Sequence, residues 1–254
     1  MRVAVRAGIV VLASILLVGG LYAWWAYSVA DRSTGTMLIV GRRGDVANWP
    51  ENTLEGLLAA ARLGADGIEF DVRRSADGTF YVMHDPTVDR TTNGSGAIVD
   101  MHDAEIDALA IDGGLGFDGH KGLTVPRLQD VLNGLAEYRG LLLLDAKGDP
   151  GEHGELARMI APLRRSARIS CSTRADVVAV GGALPTYGSR GIGVDQAMDG
   201  SPLPWTAWFW PVEVSAINEK WTGDERDAMD RARRWGVELY LTNHLAAALA
   251  TKGR

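Results

Sequence analysis

A single cysteine, Cys171, stands among the 254 residues of the chain. That scarcity excludes an intrachain disulfide and any cysteine-rich metal cluster. Set in the run Ala-Arg-Ile-Ser-Cys-Ser, Cys171 reads as a small buried hydrophobe. Basic side chains are also in deficit, with 26 Lys and Arg against 32 Asp and Glu, a net charge of −6. Residues 1–30 hold two of those cations, Arg2 and Arg6, and no acid, so the rest of the chain carries −8. A body of that sign lacks the basic face that a nucleic acid needs. It does not exclude a small anion, which a few local arginines can hold. There is no internal repeat, no low-complexity tract and no G-x-G-x-x-G opening, so nothing points to a solenoid or an open dinucleotide-binding sheet.

What is present suffices for a packed core: 46% of residues are hydrophobic and 23% charged. The length suits one α/β barrel or two small domains. From Gly8 to Ala30 no residue is charged, a run long enough to cross a bilayer as a helix. Arg2 and Arg6 precede it, which places the N-terminus in the cytoplasm and the body outside. Trp24, Trp25 and Tyr27 lie at its far end, where an interfacial aromatic belt forms. Residues 1–30 are therefore expected to be a retained single-pass anchor. The small residues Ser28-Val29-Ala30 leave a second reading, a signal peptide cleaved after Ala30 and a secreted body. Residues 31–36 form a polar linker.

Beyond it, short apolar runs alternate with helical patterns. The predicted strands are Met37–Gly41, Gly67–Asp71, Phe80–Met83, Leu141–Asp145, Arg168–Cys171, Ile192–Asp195, Val212–Ala216 and Val237–Leu241. The predicted helices are Asn52–Leu63, His102–Leu109, Arg127–Ala136, Gly154–Leu163, Arg174–Gly181 and Asp224–Trp235, the first with Asn52 and Glu55 in capping-box spacing. Strand–helix alternation means a parallel sheet, and the length favours a TIM-type β/α barrel over residues 37–254. Phe80–Met83 follows Gly67–Asp71 too closely for a helical crossover, and Ser75-Ala76-Asp77-Gly78 has turn composition. A hairpin centred on Ala76-Asp77 pairs Glu69 with His84 and Asp71 with Val82, turning Glu69, Asp71 and His84 to one face. Without that return strand seven parallel candidates remain, leaving open an incomplete barrel or an unrecognised strand. Residues 85–125 read as an insertion above the active face.

Barrel active sites sit at the carboxyl ends of the strands. Those ends carry Arg42 and Arg43, then Glu69 and Asp71, His84 after the hairpin, and Asp145 with Lys147. Three carboxylates without a thiol suit a hard divalent cation, Mg²⁺ or Ca²⁺. Arg43 and Lys147 suit a phosphate held against it, and His84 can carry a proton near neutral pH. Together they imply phosphoryl chemistry. Taken singly each residue also has a bland reading: a solvated strand face, a buried ion pair, a surface arginine, a structural histidine. Trp205, Trp208, Phe209 and Trp210 crowd a Pro-rich segment that serves equally as an apolar lip for lipid or as a loop packed under the barrel wall.

Several short motifs recur together. They are Gly41-Arg42-Arg43-Gly44, Pro50-Glu51-Asn52-Thr53, Gly64-Ala65-Asp66-Gly67-Ile68-Glu69-Phe70-Asp71-Val72, His84-Asp85-Pro86, Asp89-Arg90-Thr91-Thr92-Asn93-Gly94-Ser95-Gly96 and Asp145-Ala146-Lys147. Over residues 38–147 the chain resembles the glycerophosphodiester phosphodiesterase family. The resemblance implies a β/α barrel with a small insertion after the second strand. It implies divalent-cation-dependent hydrolysis of glycerophosphodiesters to an alcohol and glycerol phosphate; a lysolipid-like substrate is a further expectation for the same site. By match, Glu69, Asp71 and Asp145 are the metal carboxylates, Arg43 the phosphate-binding arginine and His84 one of two catalytic histidines. Lys147 stands beside the last metal ligand, and Glu51 near the site, at the helix start.

Three departures stand out. Arg42 occupies the place of the first catalytic histidine, and a guanidinium cannot act as a general base. It can still neutralise developing phosphoryl charge. The alternative reading is thus a relative that binds metal and phosphodiester without efficient turnover. Asp145 stands for a glutamate, one methylene shorter. Leu241-Thr242-Asn243-His244 keeps little of the family's C-terminal pattern. Among the other histidines, His102, His120 and His244 are candidates to replace the missing proton carrier, and His153 completes the set.

Overall fold

The computed structural model describes residues 37–163, 166–171, 178–184, 186–188, 192–193, 215–218, 225–234, 237 and 239–252, with Leu17, Gly19 and Gly20. The expected membrane segment 8–30, those three residues apart, lies outside this set, as do the linker and the aromatic segment 201–210. Among the described residues no helix is long and apolar enough to cross a membrane.

The strands are β1 (Leu38–Arg42), β2 (Gly67–Arg74), β3 (Phe80–Val82), β4 (Leu141–Ala146), β5 (Ala167–Cys171), β6 (Thr186–Gly188), β7 (Ile192–Gly193), β8 (Ser215–Asn218) and β9 (Leu239–Thr242). The helices are α1 (Leu54–Leu63), α2 (Asp103–Asp107), α3 (Leu128–Gly134), α4 (Pro150–Ile160), α5 (Glu225–Arg234) and α6 (Leu245–Thr251). The sheet order is β6-β5-β4-β2-β1-β9-β8-β7, every pair parallel, with β3 antiparallel on β2. Each parallel strand lies beside its sequence neighbour and the first pairs with the last, which is the connectivity of a β/α barrel. Among the described residues no pairing joins β6 to β7.

The expected count of seven parallel strands is corrected to eight, because Thr186–Gly188 is a strand. Its three residues, Thr-Tyr-Gly, offer no alternating apolar pattern long enough to read. α4 starts at Pro150, four residues before its predicted start. Asp149 caps it by accepting from Glu152 N at 3.0 Å, and Pro150 supplies a fixed φ where no N–H is needed.

Strand alternation sorts the core into two layers. Ile39, Ile68, Phe70, Val72, Leu142, Leu144, Ile169 and Tyr240 pack in one cluster with α1, α3, α4, α5 and α6. Val40, Leu143, Leu239 and Leu241 form a second cluster, on the opposite faces of their strands. Because side chains alternate along a strand, Arg42, Glu69, Asp71 and Asp145 fall on that second, interior face.

The hairpin register differs from the expected one. Val72 pairs with Val82, Arg73 with Tyr81 and Arg74 with Phe80, a slip of one residue. The loop holds three residues, Ala76-Asp77-Gly78, with Gly78 left-handed at φ 89°. Gly78 N donates to Ser75 O at 3.0 Å, and Ser75 N to Thr79 O at 2.9 Å. A three-residue loop closing on a left-handed glycine shifts the pairing by one against a two-residue turn.

Residues 85–125 are more than a polar loop. Val88, Ile98, Ile106, Leu109, Ile111, Leu123 and Val125 pack with Tyr81 and Met83 into a third apolar cluster. Within it, the helix predicted over His102–Leu109 is shorter, α2, and opens with a capping box from His102 and Glu105.

Candidate active site

β1 delivers Arg42 level with Glu69 of β2, and β4 delivers Asp145 level with Asp71. Carboxylate oxygens of Glu69, Asp71 and Asp145 all lie within 4.8 Å of one another. Glu69 and Asp71 are fully buried. Burial pushes the Glu69 carboxyl up to about 8, and the charges of Asp71 and Asp145 push the same way. Burial also disfavours the Asp71 carboxylate, but the charges of Lys147, Arg43 and His84 and a hydrogen bond from Asn52 outweigh it and hold the group below its ordinary range.

Cationic groups close around this cluster. Lys147 Nζ bridges Asp145 Oδ2 at 2.5 Å and Asp71 Oδ1 at 2.9 Å. Ser170 Oγ donates to the other oxygen of Asp145 at 2.6 Å. Past β1 the chain turns sharply, with Arg43 at φ 55° and Gly44 at φ 95°. That turn aims Arg43 N at Glu69 Oε2, 3.0 Å away, and sends the Arg43 side chain between Glu51 and Asp71. Its Nη1 donates to Glu51 Oε1 at 3.1 Å. Its Nε lies 3.2 Å from Asp71 Oδ2 yet makes no hydrogen bond, so a buried donor faces the carboxylates unsatisfied.

Glu51 is buried and fully committed. It accepts from Arg43, twice from Arg90 (2.6 and 3.2 Å) and from Leu115 N at 2.9 Å. Burial opposes its charge, but Arg90 and Arg43 prevail and lower its pKa. His84, beyond β3, has Nδ1 2.7 Å from Asp85 Oδ1, and its charge is felt at Asp71. The register slip therefore moves His84 off the pairing expected for it but leaves it at the same end of the barrel.

The structure brings together Arg42, Arg43, Glu51, Glu69, Asp71, Asp145 and Lys147, with His84 beside them. His102 is instead tied to Asp77 at the hairpin tip, Nδ1 to Oδ1 2.8 Å, and is exposed. His120 packs against Trp49, ring centroids 5.0 Å apart and planes tilted by 34°. His153 is buried in α4 against Asp149 O, and His244 precedes α6. Two site residues escaped the sequence reading. Asn52, expected as a helix cap, yields that place to Thr53, whose Oγ1 accepts from Gly56 N at 3.2 Å. Left-handed at φ 58°, Asn52 instead clamps Asp71: Nδ2 donates to Oδ2 at 2.8 Å and Oδ1 accepts from Asp71 N at 3.2 Å. Arg90, second in Asp89-Arg90-Thr91-Thr92, carries no sign in the sequence of its place at the site beyond that motif.

Known proteins resemble this chain in sequence and in fold. Residues 43–150 match the model of the Glycerophosphoryl diester phosphodiesterase family. A glycerophosphodiester phosphodiesterase of Caldanaerobacter subterraneus subsp. tengcongensis is 38% identical over 142 residues, 54% of this chain and 57% of that one. The chain thus spans about half the length of the curated relatives it matches. The glycerophosphodiester phosphodiesterase structure from Agrobacterium tumefaciens str. C58 superposes with a TM-score of 0.66 at 26% identity, covering 85% of this chain and all of that one. A phosphodiesterase from Oleispira antarctica, in complex with the product sn-glycerol-3-phosphate, gives a TM-score of 0.65 at 22% identity over 89% of this chain and 98% of that one. These likenesses support the barrel fold over 85–89% of the chain, while the family model matches residues 43–150.

Proposed function

We propose that the chain hydrolyses glycerophosphodiesters to an alcohol and glycerol phosphate with the help of a divalent cation. The observation that carries this reading is the convergence of Glu69, Asp71 and Asp145 within 4.8 Å beside the unsatisfied Nε–H of Arg43. The donor set fits such an ion. It is all oxygen, and its acidic charge is costly to bury unneutralised, as the raised Glu69 pKa records. Lys147, bridging Asp71 and Asp145, holds part of the positive charge the cluster calls for. A cation bound there, Mg²⁺ or Ca²⁺, supplies Lewis acidity to a phosphoryl oxygen.

The chain's own groups do the rest. Arg43 binds a phosphate oxygen through its guanidinium, whose orientation Glu51 fixes. Lys147 and Arg42 offset the negative charge that grows on the phosphoryl group. His84, held by Asp85 through Nδ1, presents Nε2 as the proton carrier for the leaving alkoxide. Arg42 takes the place where the family resemblance leads one to expect a second histidine, so one imidazole carries the proton traffic. The body is exported, with residues 8–30 as its membrane tether. Digestion of the body by protease added to intact cells, with the N-terminus protected, checks that placement.

The deciding experiment is phosphodiester hydrolysis by the full chain purified in detergent. Glycerophosphocholine and an activated aryl phosphodiester serve as substrates, with Mg²⁺, Ca²⁺ or chelator. Turnover that needs the cation and falls about 10²–10⁴-fold in His84→Ala is the expected result. No turnover in the natural protein overturns the reading, and activity gained in Arg42→His then marks a binding relative.

A further inference from the structure

We propose that Arg90, on the insertion, is a positioning residue that fixes the His84 imidazole by holding Asp85. This rests on the phosphodiesterase reading of the site. One guanidinium spans two carboxylates. Nε donates to Asp85 Oδ2 at 2.6 Å and Nη2 to Asp85 Oδ1 at 3.0 Å; Nη2 also reaches Glu51 Oε1 at 2.6 Å, and Nη1 reaches Oε2 at 3.2 Å. The resulting chain runs from Arg43 through Glu51, Arg90 and Asp85 to His84, so the phosphate clamp and the proton carrier share a brace.

The two ends of the brace do not depend on Arg90 equally. Glu51 keeps Arg43 and the Leu115 amide if Arg90 is removed. Asp85 has two side-chain partners among the described residues, Arg90 and His84. The His84 main chain is pinned separately, its carbonyl accepting from Arg73 Nε at 2.8 Å and Nη2 at 2.6 Å. Arg90 therefore governs the ring of His84 and not its backbone. The Arg90 hydrogen bond is also the foremost reason that the Asp85 carboxyl lies well below its usual range, against the effect of burial; His84 adds to it. Asp85 stays ionised, and an ionised acceptor at Nδ1 leaves Nε2 as the working nitrogen. Arginine suits this place better than lysine because a forked donor serves both carboxylates at once, whereas an ammonium is a point charge.

The test uses the full chain labelled with ¹⁵N-histidine, the His84 signals being assigned by their loss in His84→Asn. Arg90→Gln and Arg90→Lys are compared with the natural protein in the presence of Mg²⁺. Arg90→Gln is expected to shift the His84 ring nitrogens and leave those of His153 in place. It is expected to lower kcat about 10- to 100-fold while KM changes by less than about threefold, with partial rescue by Arg90→Lys. Unchanged His84 signals in Arg90→Gln overturn the proposal whatever the activity. So does a rise in KM at constant kcat, which places the effect at Arg43. If the natural protein shows no turnover, the function reading fails and the nitrogen shifts alone decide the role of Arg90. If Arg90→Gln does not fold, Asp85→Asn, which leaves the Arg90–Glu51 pairing intact, is read by the same criteria.

Discussion

At the scale of single residues, the site is a problem in housing charge. Glu69 is the group most opposed by its surroundings: burial and two neighbouring carboxylates hold its pKa near 8, against an ordinary value of 4.5. Between those values the folded, metal-free chain keeps a proton that the unfolded chain has released. Stability therefore falls as pH rises through that window and levels off above about 8. In chelator, the melting temperature is expected to drop between pH 5 and pH 8. Glu69→Gln is expected to flatten the profile and raise the melting temperature at pH 8. A profile in the natural protein that matches Glu69→Gln refutes this account. Residue types alone made much of this site legible. Glu69 and Asp71 are carboxylates at alternate positions of β2 and Asp145 lies level with Asp71 on β4, so alternation places them on one face whatever the register of the hairpin. Asn52 was not legible, because a side chain that caps helices in most settings here reaches back to Asp71, and only the left-handed backbone turns it there.

At the scale of elements, the site depends on how closely α1 approaches the end of β1. A Cβ added at Gly44 meets Gly56 C at 2.7 Å and Gly56 O at 2.8 Å, on top of a left-handed φ of 95°. Gly64, ending the same helix, also has a positive φ, 83°, but nothing within 4 Å of an added Cβ. Gly64→Ala is expected to cost about 1 kcal/mol, the strain alone. Gly44→Ala adds a backbone collision, so its cost exceeds that of Gly64→Ala by a further 1–3 kcal/mol or so. Urea unfolding of both variants measures the difference, and equal losses mean that α1 gives way without resistance. Elements were readable where their pattern was long: β2, β4 and α1 stand within a few residues of the sequence reading. Those set by neighbours were not. β6 is three residues set by their pairing with β5, and the β2–β3 register turns on one left-handed glycine in the loop.

At the scale of the whole molecule, the insertion has its own apolar cluster, yet it is tied to the barrel at several points. β3 pairs with β2 on one side, and Tyr81 bridges to Arg127, at the start of α3, on the other. Glu51 and Leu115 exchange hydrogen bonds, Glu51 N to Leu115 O at 2.8 Å and Leu115 N to Glu51 Oε2 at 2.9 Å. Arg90 adds its bridge to Glu51. Were the insertion to open alone, Glu51 would stay buried beside Arg43 without Arg90 or the Leu115 amide, and leaving buried charge under-paired costs several kcal/mol. The insertion and the barrel therefore unfold as one unit. Ile106, fully buried at the centre of the insertion cluster, is the place to test it. Ile106→Ala is expected to lower the stability of the whole chain by about 2–5 kcal/mol. Circular dichroism and hydrogen exchange at β2 and β4 are expected to shift together. Exchange that accelerates over residues 85–125 while β2 and β4 keep their protection makes the insertion an independent unit. In that case the brace from Arg43 to His84 cannot be held by the packing of the barrel, and the Arg90 and Leu115 contacts to Glu51 are too weak to couple the two.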